Sequence, residues 1–145
     1  MTAVTETRTW QLVIPAPAKM YSANTRVYWR RTYEARKAWR EAAFIYAVQA
    51  KLPKGLTKVR IDVVVHFTIN RGRDDENYSP YVGKPIGDGL ARPHNNSPGY
   101  LMVPDDTPEF VEGPHVTVGA KVDKKVYPLG LAVVTITDLS GGRNG

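Results

Sequence analysis

A chain of 145 residues is long enough for one well-filled core and too short to divide into two without leaving each thin, so one domain is expected. Its 42% apolar, 10% aromatic and 23% charged residues exclude an intrinsically disordered chain, and the absence of cysteine excludes disulfides, thiolate zinc sites and cysteine nucleophiles. Twenty Lys and Arg against 14 Asp and Glu leave a net charge of +6, which favours a polyanionic partner, although the same excess would serve solubility alone.

Residues 1–9 are polar and are expected to form a flexible N-terminus, after which Trp10 to Ile14 reads as a short strand stopped by the prolines of PAPAKMYSANTR. That loop carries Lys19, Tyr21, Ser22, Asn24 and Arg26, a mixture suited to phosphate contacts. From Tyr33 to Lys51, Ala35, Ala38, Trp39, Ala42, Ile45 and Tyr46 recur at helical spacing, with Thr32 as the expected N-cap and Pro53 and Gly55 ending the run. Arg30, Arg31, Arg36, Lys37 and Arg40 ring the start of this helix, as a nucleic-acid backbone would require and as any solvated helix face allows. The aromatics Tyr21, Tyr28, Trp29 and Tyr33 interleave with Arg26, Arg30 and Arg31, a pattern open to base stacking or to core packing.

Val59, Ile61, Val63, Val65, Phe67 and Ile69 then alternate with more polar residues, the period of a strand with one buried face, expected to be a central scaffold element. It leads into INRGRDDENYSPYVGKPIGDGL, where charge and glycine content rise together. A loop rich in Pro, Asn and Gly follows from Ala91 to Pro104, then two strand-like runs, Glu109 to Val122 and Leu129 to Thr137, and a tail at 140–145 expected to be flexible. Helix and strand signals interleave too little for a doubly wound parallel sheet, so the expected fold class is α+β: a single domain with a mixed, mainly antiparallel sheet packed against helices.

If the strand register continues past Ile69, Asp74 and Glu76 project to one side, as two ligands of one hard cation would. Asp105 and Asp106, in VPDDT, form a second acidic group that a turn would bring across to the first. Such carboxylates repel unless a divalent ion or a basic neighbour offsets them, and magnesium suits an all-oxygen site that hydrolyses phosphodiesters. Either acidic group alone is more often an ordinary turn or cap. Their coincidence with Asn77, Lys84, Asp88, Arg71 and Arg73 in a positively charged chain is what points to chemistry.

RDDEN, then GKPIGDGL, then VPDD together resemble the signature of RusA-type Holliday junction resolvases, over a stretch from about Trp10 to Leu139. The resemblance implies a homodimeric, structure-selective DNA endonuclease of a bacterial or phage-infected cytoplasm. It further implies that Asp74, Glu76 and Asp106 bind Mg²⁺, that Lys84 assists at the scissile phosphate, and that Asn77, Asp88 and Asp105 support the site. Lys19, Asn24, Arg26, Arg30, Arg31, Arg71 and Arg73 become the expected DNA contacts. Two symmetric nicks in a four-way junction suit two copies of one site about a twofold axis.

The chain departs from the family pattern in two places. Glu76 replaces the usual shorter Asp, which would shift the metal or admit Mn²⁺. YSPYVG lengthens the spacing from Asn77 to Lys84, and Pro80, Gly83, Pro85, Gly87 and Gly89 argue against the family's helix at that point. Two other functional readings stay open: a non-catalytic DNA-binding protein with a decayed site, and a nuclease for other branched or single-stranded DNA. His66, His94 and His115 have no zinc-ligand spacing, VGKPIGDG lacks the phosphate-loop pattern, and no stretch approaches the ~20 apolar residues of a membrane span.

Overall fold

The computed structural model describes residues 7–70 and 72–139. Arg71 and the expected flexible ends at 1–6 and 140–145 lie outside the described residues. Among the described residues no helix is long and apolar enough to cross a membrane.

Among the described residues four strands, β1 (Thr9–Pro15), β2 (Val59–His66), β3 (Val111–Val118) and β4 (Leu131–Asp138), form one mixed sheet in the order β1-β4-β2-β3. The β1/β4 and β4/β2 pairs are antiparallel, with Trp10 and Ile61 both opposite Ile136, and the β2/β3 pair is parallel, with Val59 opposite Val111. The α+β class and the mainly antiparallel sheet therefore stand as expected. Arg8 and Thr9, assigned to the polar start, are instead anchored: Thr9 pairs with Thr137, and the Arg8 guanidinium meets Asp138 at 2.7 Å.

The alternation in β2 buries Val59, Ile61, Val63 and Val65 completely, on the face covered by helix α1 (Trp29–Ala50). Strand pairing stops at His66, however, so Phe67 is only half-buried and Ile69 stands in solvent. Helix α1 starts four residues earlier than its spacing suggested. Thr32 is not its N-cap but lies inside the first turn, where its hydroxyl donates to the Trp29 carbonyl at 2.9 Å. The buried stripe is Thr32, Ala35, Trp39, Ala43 and Ala47, and Ile45 faces outward. Ile45→Lys is accordingly expected to change unfolding free energy by less than about 0.5 kcal/mol in urea titrations, a result that a core position would not give.

A parallel β2/β3 pair needs a crossover, and residues 67–110 supply it. The crossover contains a 3₁₀ turn (Asp75–Tyr78), a single π-type turn (Ser79–Gly83) and helix α2 (Lys84–Leu90). The glycines that argued against a helix here are what let it pack. A Cβ on Gly83 would reach Val116 Cγ2 at 2.5 Å, one on Gly87 would lie 3.0 Å from Pro114, and one on Gly89 would collide with the Arg40 carbonyl of α1. Tertiary contact thus overrides weak helix propensity. Opposite α2, β3 carries a bulge: Arg60 pairs with Glu112 but Asp62 with His115, and the extra residue is accommodated at Gly113, whose φ is +106°.

Candidate functional site

Helix α2 begins at Lys84, and its first turn sets Asp88 at the i,i+4 position, where the Lys84 ammonium donates to Asp88 Oδ1 at 2.9 Å. The same ammonium donates to Asp106 Oδ2, which the loop before β3 brings in across α2. Asp105 holds this loop in place by accepting the Asp106 amide at 2.8 Å, and its carboxylate faces Arg92 at 4.0 Å. Arg40, Lys84, Asp88, Arg92, His94, Asp105 and Asp106 line one cleft of about 350 Å³, with three formal cations opposite three carboxylates.

The groups perturb one another. A hydrogen bond from Asp88 is the main reason the Asp106 carboxyl titrates far below the usual carboxylate range; Lys84 and Asp105 add to this while partial burial opposes it. Asp88 moves upward, through burial and its contact with Asp106, with Lys84 pulling the other way. Burial opposes the charge on Lys84, yet its two carboxylate partners raise it overall. Asp88 therefore keeps a proton more readily than Asp106 does.

A group held low when folded contributes stability above its unfolded pKa, about 3.9 for Asp, and loses it as pH falls. Asp88, shifted the other way, contributes most at low pH and less as pH rises past the ordinary carboxylate range. Asp106→Asn is expected to make the loss of stability below about pH 4 shallower in denaturant titrations stepped through pH. An unaltered acid limb would mean that the cluster does not form in solution.

The first acidic segment lies elsewhere. Because β2 has ended, Asp74 and Glu76 are not alternate residues of a strand: Asp74 caps the 3₁₀ turn, accepting the Glu76 amide at 3.3 Å, and both side chains are exposed. Glu76 opens onto Ser79, His115 and Thr117, an opening that shares no residue with the Lys84 cleft. Asp75, passed over in favour of its neighbours, accepts the Val118 amide at 2.8 Å and ties the turn to β3. Among the described residues no three His, Asp or Glu side chains are grouped so as to hold a metal ion. Asp74, Glu76 and Asp106 thus do not, as placed, fit a single divalent ion.

The expected supporting and DNA-contact residues also divide. The Asn77 carbonyl accepts the Ala23 amide at 2.7 Å, bracing the 3₁₀ turn against the loop of Lys19, Asn24 and Arg26. Arg73 lies over the Phe67 ring at 3.8 Å and donates to the Ile69 carbonyl at 2.9 Å; with Lys19, Ser22, Thr25 and Tyr78 it lines a separate pocket. Asn24, Arg26, Arg30 and Arg31 are exposed. Beside the Lys84 cleft runs a second groove, lined by Tyr33, Arg36, Lys37 and Arg40 of α1 and sharing Lys84 and Asp88.

Arg92, from the Pro- and Asn-rich loop, has no signal in the sequence that marks it apart from other loop residues, and His94 drew notice there only as a zinc ligand without the right spacing. Arg40 had a usable signal, its place in the basic ring of α1. No family model matches the chain, and no curated protein matches its sequence.

Proposed function

We propose that the protein is a structure-selective DNA endonuclease, acting on Holliday junctions or other branched DNA, with the Lys84–Asp88–Asp106 cluster as its reaction centre. The observation that carries this reading is the shared groove: the cationic face of α1, Arg36, Lys37 and Arg40, borders the same Lys84 and Asp88 that meet Asp106. A phosphate backbone drawn along that face by its charge would arrive at an ammonium flanked by one carboxylate, Asp106, whose proton affinity is lowered and another, Asp88, whose proton affinity is raised. Paired groups with divergent proton affinities are the ordinary equipment of general acid–base chemistry. Lys84, whose side chain is 56% exposed, is accessible to a phosphate oxygen and would steady its developing charge.

Magnesium is implied by the family resemblance alone, since Asp74, Glu76 and Asp106 as placed do not fit one ion, and a homodimer is the implied assembly, since two clefts about a twofold axis match two symmetric nicks. The test is a purified-protein assay on a synthetic four-way junction and on linear duplex, with Mg²⁺ or with EDTA. Paired nicks in the junction, abolished by EDTA, are expected. Binding without cutting under every condition would instead favour a non-catalytic DNA-binding protein, a reading supported by the separation of Asp74 and Glu76 from Asp106.

A further inference from the structure

We infer that Tyr28, Trp29 and Tyr33, at the start of α1, form a platform on which unpaired bases of a nucleic-acid strand stack. The inference rests on the nucleic-acid reading above and specifies the kind of strand this face takes. Three large rings in a row remain in solvent, with 61%, 61% and 51% of their surface exposed. They touch each other rather than the core: ring centroids are 5.7 Å apart for Tyr28 and Trp29 and 6.3 Å for Trp29 and Tyr33, with planes inclined at 54° and 68°. In a duplex both faces of each base are already stacked on neighbouring bases, so exposed, mutually tilted rings of this kind suit unpaired bases splayed from a single strand.

Charge selects the partner. Between Lys19 and Arg40 the chain carries seven cations (Lys19, Arg26, Arg30, Arg31, Arg36, Lys37, Arg40) and one acid, Glu34. The Arg30 guanidinium lies 5.2 Å from the Trp29 ring centre, so a base on that ring brings its phosphate within reach of a cation. A second copy of this chain docked face to face would set these arginines against their own equivalents, which disfavours self-association as the use of the rings. Tyr33 belongs both to the row and to the groove of Arg36, Lys37, Lys84 and Asp88, so a strand lying on the platform is led toward the Lys84 cluster.

The experiment measures binding by the full-length protein to a labelled oligothymidylate and to a blunt duplex of equal length, by fluorescence anisotropy in EDTA, so that no cleavage is needed. The variants are Trp29→Ala, Tyr33→Ala, the double variant and Trp29→Phe, each checked for an unchanged melting temperature, as the rings lie outside the core. Single-strand affinity is expected to fall about ten-fold per ring removed and to be largely kept in Trp29→Phe, while duplex affinity, carried by the arginines, changes little. Undiminished single-strand affinity in the double variant overturns the platform and leaves the nucleic-acid reading standing. Absence of binding to either DNA by the wild type overturns both. A double variant that binds as the wild type does but sediments at lower mass assigns the rings to self-association, and likewise overturns the platform.

Discussion

Asp106→Asn is expected to lower junction cleavage by at least about 100-fold while leaving junction binding within a few-fold of wild type, because the amide keeps the shape and loses the charge that Lys84 and Asp88 gather around. Single-turnover assays alongside binding titrations separate the two effects. Lys84→Ala should also lose far more turnover than affinity: it removes the ammonium that both carboxylates share and leaves Asp88 and Asp106 without their counter-charge. Equal loss of binding and turnover would recast Lys84 as a phosphate anchor. Full activity in Asp106→Asn would remove the cluster from the chemistry, and attention would pass to Asp74 and Glu76.

The second large effect concerns the fold. Gly89→Val is expected to cost about 3 kcal/mol or more of unfolding free energy, since any side chain there meets the Arg40 carbonyl and the Ala43 methyl, and a backbone group cannot turn aside. Urea titration of both proteins measures it. Such a variant should also lose cleavage, because separating α2 from α1 carries Lys84 and Asp88 away from Arg40. A variant as stable as wild type would contradict the close packing of the two helices.

Where side chains repeat with a strong period, the sequence was a good guide. The alternation from Val59 to Val65 marked β2 and its buried face, and the spacing through Ala35 and Trp39 marked the body of α1. The run from Glu109 to Val122 marked β3 itself, but its parallel pairing with β2 and the helical crossover were hidden. Nothing in a residue's own preference foretells that Gly83, Gly87 and Gly89 are wanted for the surfaces they let approach, so α2 read as a poor helix. Asp74 and Glu76 were misjudged geometrically for a different reason: hydrophobic alternation runs on to Ile69, but the hydrogen-bonded ladder ends at His66, and the period of two ends with it. Asp105, Asp106 and Lys84 were recognised as a motif, whereas the role of Asp88 as direct partner of both Lys84 and Asp106 depends on a turn of helix that the composition argued against.

The outer border of β3 has a bearing on how the chain behaves in a crowded solution. An unprotected sheet border invites further strands and, eventually, fibrils. Here Pro114 offers no amide hydrogen, the irregularity at Gly113 breaks the ladder's spacing, and the Asp75 carboxylate already occupies the Val118 amide. Growth by strand addition on that side is therefore blocked at several rungs, and the acid beside the motif earns its position as a guard against polymerisation.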